Sequence, residues 1–402
     1  MTQIDTGHSR EQKLIHLLFF LFGFGIMAWV PRFPEVRENL GLDNGAFGSL
    51  MSTGSIGAFF GLLVAGHITH RIGAKKVILV SIVVLYASLI ALVHLSSTLP
   101  FLIFSLAFGF GITAIHVGLT SQVFHFDDRS GKNIMISSAG YWSSGALVTA
   151  ITSGLLVDKV SLATHVTTLS LVLTIAMIAI VLSLHPVLLT ANTDTETDYS
   201  VKQIFTSFRI DWPVSLGWAC AVYLEFAVGD WGAIFTKDRL EVSAGASTVP
   251  YIVFTATMIF GRLLFHKLLP YAPLESWAKR AAVLGALGFG SCIIIATHLP
   301  AEMKWWSYWL FILGFALGGL GSSFVAPAFF RAATRRSNLP SAIVVGQFGV
   351  VNNVLTFVIK WIVAWTIQLT GSIALAMMIP TAMLLSVIFF ANTLKGDSQA
   401  KS

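Results

Sequence analysis

Long apolar runs recur along the chain and are separated by short polar segments. A helix needs about 20 apolar residues to cross the hydrocarbon core of a bilayer. The pattern predicts twelve membrane-spanning helices and leaves no room for a soluble domain. They lie near residues 13–31, 44–69, 76–95, 99–123, 133–156, 162–185, 212–236, 246–268, 277–298, 305–330, 339–367 and 371–394.

The composition agrees with an all-α polytopic membrane protein. Charged residues make up 11% of the 402 residues, against roughly 25% in soluble domains, and the mean hydropathy is +0.79. A net charge of +6 would indicate nucleic acid binding only if the basic residues clustered on one soluble face. They lie in short loops instead, so the lipid bilayer and not a nucleic acid is the expected partner. The two cysteines, Cys220 and Cys292, form no disulfide framework or metal motif and are predicted to pack.

Basic residues between the spans predict the orientation, because cytoplasmic loops carry the excess of Lys and Arg. With the N-terminus inside, the inner segments hold eighteen of them and the outer segments six. This count includes Arg262 among the inner segments and leaves Lys360 within a span. Both termini are therefore predicted to be cytoplasmic, with the chain in the cytoplasmic (inner) membrane.

One long polar connection, residues 186–211, divides the chain into two six-helix bundles at 1–185 and 212–402. Its central residues 192–198 are too polar to fold alone. Both bundles carry a Trp-x3-Phe-x3-Arg signature, which begins at Trp29 in the first and at Trp231 in the second. This spacing is expected of a duplicated unit, although chance similarity between two interfacial segments would also produce it.

The sequence lacks the common catalytic, nucleotide-binding and metal-binding motifs. It contains no Walker loop, HExxH, GxSxG or Cys/His metal spacing, so no enzyme activity, cofactor or metal is expected. A multispan membrane enzyme or sensor would need a catalytic cluster or a soluble domain. The remaining interpretation is a secondary transporter, expected to be a monomer, that is driven by an ion gradient or by the gradient of its own solute.

A basic loop after the second span, together with twelve spans and a polar central linker, resembles the major facilitator superfamily. The loop reads Gly66-His-Ile-Thr-His-Arg-Ile-Gly73-Ala-Lys-Lys76. His70 stands where that family has Asp, and His266 takes the same place in a degenerate copy that contains Arg262. The resemblance implies a gating role for Arg71 and Arg262, and it leaves open whether the histidines replace the acidic contacts.

Two further stretches resemble the fucose-permease-like group, and especially its MosC-like branch. They are residues 29–42, which include Pro31, Arg32 and Pro34, and residues 225–231. The branch implies uptake of a sugar, polyol or related small polar metabolite. Ala139 and Thr120 stand where the branch has His and Asn, so the substrates of relatives that use those side chains do not transfer.

Acidic residues inside a span are functional candidates because an ionised group at the bilayer centre costs about 2.5 kcal/mol or more. Glu225 lies near the middle of the seventh span and is predicted to carry the coupling proton, the alternative being a structural acid paired with a base. Asp230 lies about 140° further around the helix and is predicted to be an outer gate or ion-pair partner, unless it is an interfacial residue. It is also a second candidate for proton coupling. Efflux of amphipathic compounds remains the alternative function.

Polar residues also recur at helical spacing on three other spans. In span eleven Gly349, Asn353, Thr356 and Lys360 share one face, with Asn353 and Lys360 as candidate ligands, unless Lys360 extends to the outer interface. The other predicted contacts with the solute are Trp29, Thr113, His116, Tyr141, Trp142 and Glu225. His116 is also a reserve proton carrier, and Arg32 joins the predicted gating residues. The predicted mechanism is alternating access, with H+ as the coupling ion.

Overall fold

The computed structural model describes residues 3–130, 134–185, 210–336 and 341–395, which contain α-helices, short 3-10 segments and no strand. The all-α prediction is confirmed. The side chains of His70 and His266, and residues 186–209 of the predicted linker, lie outside the described part. The helices are α1 Gln3–Ile26, α2 Phe33–Leu40, α3 Asn44–Ile72, α4 Ala74–His94, α5 Thr98–Ser130, α6 Met135–Leu156, α7 Leu162–Ser183, α8 Trp212–Leu240, α9 Ala244–Leu268, α10 Leu274–His298, α11 Lys304–Ser322, α12 Val325–Arg335, α13 Ser341–Thr370 and α14 Ile373–Phe390.

Ten helical segments of the described chain are long and apolar enough to cross a membrane. Two of the predicted spans, α6 and α8, fall below that criterion over their described residues. Both are rich in polar side chains, and both carry residues that the sequence singles out as candidate ligands. The two predicted spans that fall below the criterion are therefore also among those expected to contact a polar solute.

The described residues group into two compact units. The first unit falls within Met1–Trp29, Leu50–Ser153 and Val160–Phe208, and the second within Val30–Ser49, Gly154–Lys159 and Arg209–Ser402. Two short segments of the N-terminal half therefore pack with the C-terminal half. The predicted bundle boundary in the linker stays a prediction.

Glycines set the closest helix contacts of the first unit. A Cβ at Gly57 of α3 would collide with the Leu106 carbonyl of α5, and a Cβ at Gly109 would collide with the Gly54 carbonyl. In a membrane the hydrophobic effect does not drive helices together, so they associate through close packing, and small residues let their backbones approach. Gly54, Gly57 and Gly109 thus let the backbones of α3 and α5 pack closely.

Helix α8 is at the centre of the second unit. It contacts α9, α11, α12, α13 and α14, and also the short helix α2. Helix α10 packs against α11 and α14 on the periphery. A polar group on α8 consequently has neighbouring helices on several sides that can supply a partner.

Three predicted spans differ clearly from the observed helices. The first ends at Ile26 rather than residue 31, the fourth continues to Ser130 rather than residue 123, and the tenth is broken between Ser322 and Val325. Pro327 in the first turn of α12 explains the break, because proline has no N–H to donate to the carbonyl four residues earlier. That carbonyl belongs to Ser323.

Candidate functional site

One strip of α8 is accessible, although the surrounding helix is buried. From Ala221 to Thr236, only Glu225, Phe226, Gly229 and Asp230 are half-buried, and the other residues are buried. We call these four residues the polar strip. It places two carboxylates at the middle of the helix, flanked by α9 and α13.

Glu225 is paired with a base from α9. The Arg262 Nη2 lies 3.2 Å from Glu225 Oε2, and the two side chains are 26% and 21% exposed, respectively. Arg262, which was counted among the inner segments, lies within α9, and α9 continues to Leu268. Its guanidinium points at the mid-helix carboxylate of α8.

The same guanidinium holds the break in the tenth span. Arg262 Nε donates to the Ser323 carbonyl at 2.7 Å, which is the carbonyl that Pro327 leaves without a helical donor. A carbonyl at membrane depth is costly when it has no partner. Arg262 thus joins α8, α9 and the α11–α12 break in one contact.

Asp230 is paired with a base from α13. The Lys360 Nζ lies 2.7 Å from Asp230 Oδ2 and 3.0 Å from Oδ1, and both side chains are 18% exposed. The ammonium also lies 5.8 Å from the ring centroid of Phe226, a distance that allows a cation–π attraction. Lys360 therefore turns inward to the polar strip and does not extend to the interface.

Aromatic rings border the strip. Trp218 of α8 packs edge-on against Phe226, with ring centroids 6.3 Å apart, and against Phe348 of α13 at 5.9 Å. One turn and a half along α13, Asn353 is half-buried and donates from Nδ2 to the Gly349 carbonyl at 2.9 Å. The polar strip and its surroundings thus combine two ion pairs, flat aromatic faces and an amide.

A family model of the Major Facilitator Superfamily matches residues 15–359, most of the length of the chain. The chain belongs to the Major Facilitator Superfamily. The predicted resemblance to this superfamily is confirmed.

Relatives within the Major Facilitator Superfamily are distant. An uncharacterised MFS-type transporter of Yersinia pestis is 26% identical over 342 residues, or 84% of each chain. The membrane protein MosC of Rhizobium meliloti is 21% identical over 339 residues, which cover 84% of this chain and 79% of MosC. The predicted likeness to MosC is confirmed.

Solved structures of the superfamily share the fold. The nucleoside transporter NupG has a TM-score of 0.74 with 13% identity and covers 96% of this chain and 99% of its own. A D-xylose-proton symporter has a TM-score of 0.71 with 13% identity and covers 97% and 98%. At this identity the likeness establishes the major facilitator fold and not the solute.

The first unit holds the other predicted ligands. His116 of α5 and Tyr141 of α6 are exposed, whereas Thr113 and Trp142 are half-buried. Thr113 Oγ1 donates to the Gly109 carbonyl of its own helix at 3.2 Å. Trp29 is 3% exposed and packs edge-on against Phe108 at 5.2 Å, so it has little surface to offer a solute.

Sequence reasoning missed His16 of α1. Its ring stacks on Tyr141 at a centroid distance of 4.5 Å, and its Nε2 lies 3.0 Å from Ser137 Oγ. The available signal was a single histidine within the first apolar run. The cluster of His16, Ser137 and Tyr141 is the polar group that α1 and α6 form together.

A second set of charged residues lies at the far end of α8. Arg37 of α2 binds Asp238 of α8 through both oxygens, at 2.8 and 3.0 Å, and Lys237 Nζ lies 2.6 Å from Glu38 Oε1. We call Arg37, Glu38, Lys237 and Asp238 the terminal cluster. It ties a segment of the N-terminal half to the C-terminal half within the second unit.

The remaining gating candidates have separate environments. Arg32 is 1% exposed and binds both oxygens of Glu35 at 2.7 and 2.8 Å. Arg71 is exposed in the last turn of α3. Neither residue belongs to the polar strip or to the terminal cluster.

Proposed function

We propose that this chain takes up a small polar solute, such as a sugar, polyol or related metabolite, together with protons. It would work by alternating access as a monomer in the cytoplasmic membrane, with both termini in the cytoplasm. The observation that carries the proposal is the polar strip, where two carboxylates at mid-helix each have a base for a partner. Membership in the superfamily supports transport, and the strip supports the coupling.

The exposure of the polar strip is an argument for an opening that water can reach. A charged side chain that faces acyl chains is costly, so intramembrane charges face protein or water. Both acids and both bases keep roughly a fifth to a quarter of their side-chain surface accessible. That accessible surface is therefore inferred to face water beside α9 and α13 and not lipid.

Glu225 is the proposed proton carrier. Arg262 holds it while also holding the Ser323 carbonyl, so a shift of α8 relative to the α11–α12 break changes how closely the guanidinium approaches the carboxylate. A weaker ion pair favours the protonated acid, and a closer one favours the ionised acid. Proton affinity would thus depend on conformation, as coupling requires. Asp230 and His116 are the alternatives.

The fold neighbours give the proposal limited support. A D-xylose-proton symporter shares the fold, which is consistent with proton coupling on this scaffold. Efflux of amphipathic compounds is the weaker alternative because four charged groups line the strip. A cavity for amphipathic compounds would be expected to be mainly apolar.

The test measures accumulation and exchange in proteoliposomes with an inward proton gradient. The solutes are a set of labelled monosaccharides, polyols and small carboxylic acids. We expect Glu225→Gln to abolish proton-driven accumulation and to leave part of the solute exchange intact. Glu302→Gln is the matched control, because Glu302 is an exposed acid outside the strip.

Two outcomes would contradict the proposal. Accumulation that survives in Glu225→Gln would remove this residue from the coupling mechanism. If the wild-type protein accumulates none of these solutes under the gradient, proton-coupled uptake of a small polar solute is wrong.

A further inference from the structure

We infer that the transported solute is a small ring-bearing carboxylate, which binds Lys360 by taking the place of Asp230. The inference rests on the proposed proton-coupled uptake and names its solute class. In the structure Asp230 binds the Lys360 ammonium through both carboxylate oxygens. A carboxylate of the solute can make the same contact once Asp230 has accepted a proton.

The number of bases favours an anionic solute. Hydroxyls and amides suffice to hydrogen-bond a neutral sugar, whereas a Lys or Arg at membrane depth costs several kcal/mol to place. Two bases nevertheless face the polar strip, and each is paired with one of its carboxylates. A base whose carboxylate partner can be exchanged is able to bind the carboxylate of a solute in its place.

The two bases are not equivalent. Arg262 is fixed by the Ser323 carbonyl as well as by Glu225, so its position is tied to the break in the tenth span. Lys360 has Asp230 as its hydrogen-bond partner and the Phe226 ring as its other contact. Lys360 is therefore the base that can change partners without disturbing a helix end.

The surroundings of Lys360 favour a ring. Phe226 lies beneath the ammonium, and Trp218 meets both Phe226 and Phe348 edge-on. Flat aromatic faces stack on rings, both aromatic rings and the apolar faces of sugar rings. Asn353, on the same face of α13 as Lys360, offers an amide for a ring hydroxyl.

The exchange keeps the Asp230–Lys360 pair neutral. Before binding, one carboxylate balances one base; afterwards one proton and one solute carboxylate have been added. The proton on Asp230 comes from the outer solution, in addition to the one carried by Glu225, and leaves to the cytoplasm after the solute is released. Lys360 is the charged partner of Asp230, and Tyr223 and Tyr251 are near enough for the Asp230 charge to act on them. Glu225 and Arg262 form the second charged pair at the strip.

The experiment compares acids with neutral isosteres on the purified full-length protein. The pairs are 4-hydroxybenzoate with 4-hydroxybenzamide, and glucuronate with glucose. We expect one of the acids to raise the unfolding temperature and its isostere to have no effect. Since binding of each acid takes up one proton, its affinity should fall as the pH rises.

Variants separate recognition from folding. Lys360→Gln should lower acid binding at least tenfold, and Lys267→Gln, at an exposed lysine near the end of α9, should keep it. Asp230→Asn should bind the acid with no pH dependence, because no proton is needed to free the lysine. The doubly neutral Asp230→Asn/Lys360→Gln variant avoids an unpaired charge and should fold without binding acids.

The outcomes distinguish this inference from the proposed function. If neutral glucose or 4-hydroxybenzamide enters with protons and Glu225→Gln stops it, proton coupling stands and the carboxylate inference fails. Equal binding of acid and isostere, no binding of either acid, or acid binding independent of pH in the wild type would each overturn the inference. If no solute moves with protons, both fail.

Discussion

The polar strip and the terminal cluster are built from the same interaction on the same helix, yet they differ in surroundings. In the terminal cluster Asp238 and Glu38 are 37% and 54% exposed, whereas Glu225 and Asp230 of the strip are 21% and 18% exposed. Exposed ion pairs contribute about 0–1 kcal/mol. Breaking a buried pair can cost about 3–5 kcal/mol, because it leaves a charge without compensation.

The two regions also differ in what they join. The terminal cluster links α2 to α8, so it ties together the two halves of the sequence. The strip links α8 to α9 and α13 of the same half. Exposed ion pairs break at a low cost in free energy, so they suit contacts that open and close. Protected ion pairs suit a site where the binding of a charged solute depends on the binding of a proton.

The largest expected effect comes from Arg262→Met. It leaves Glu225 without its base and the Ser323 carbonyl without its donor, so we expect a loss of about 2–4 kcal/mol of stability together with the loss of proton-driven accumulation. Thermal unfolding in detergent measures the first effect and proteoliposome uptake the second.

Removal of both charges is the control for that variant. Arg262→Met/Glu225→Met should recover part of the stability, because no unpaired charge remains, but not the accumulation. If Arg262→Met unfolds at the wild-type temperature, the guanidinium does not hold the helix break.

Arg37→Gln is the corresponding change in the terminal cluster. It removes a two-oxygen contact with Asp238, but water can solvate the released carboxylate, so the loss should stay near 1 kcal/mol. Thermal unfolding gives the comparison. A loss as large as that of Arg262→Met would mean that exposure does not separate the two regions.

Salt should affect the two regions differently. At 1 M salt the screening length falls to about 3 Å, which weakens exposed pairs more than protected ones. Raising salt from 0.1 to 1 M should lower the unfolding temperature slightly in the wild type and less in Arg37→Gln. An unchanged salt response in Arg37→Gln would contradict an exposed, screened contact.

The smallest effect is expected for Glu38→Gln. This side chain is more than half exposed and bonds to Lys237 through one oxygen, so the change should stay within about 0.5 kcal/mol. Denaturation of Glu38→Gln beside Arg37→Gln measures it. A larger loss than for Arg37→Gln would reverse the order within the cluster.

The sequence predicted the apolar helices well, because length and hydropathy alone decide which segments can span a bilayer. It also predicted that Glu225 and Asp230 face different sides of the helix. The structure pairs them with different helices, but both lie on the one accessible strip of α8. The break at Ser323 was missed, although Pro327 was visible. The tenth predicted span is apolar along its whole length, and a hydropathy profile does not show that Pro327 lacks a backbone N–H.

The partners of the two acids were beyond sequence reasoning. Arg262 lies 37 residues from Glu225 and Lys360 lies 130 residues from Asp230, so each pair depends on which helices become neighbours. Arg262 was grouped with a loop motif, and Lys360 had an interfacial alternative. The partner of each acid depends on which helices pack together, and neither hydropathy nor residue spacing reveals that.

Cysteine labelling at Gly229 tests most directly whether the polar strip faces water. A Cβ there meets only Val30 Cγ1, at 4.0 Å, so Gly229→Cys should fit in a background with Cys220→Ala and Cys292→Ala. Leu287→Cys, at a 58% exposed position in the middle of α10, serves as the lipid-facing control. We predict that a membrane-impermeant thiol reagent labels Gly229→Cys and not Leu287→Cys. Labelling of Gly229→Cys by lipid-soluble reagents alone would contradict the account.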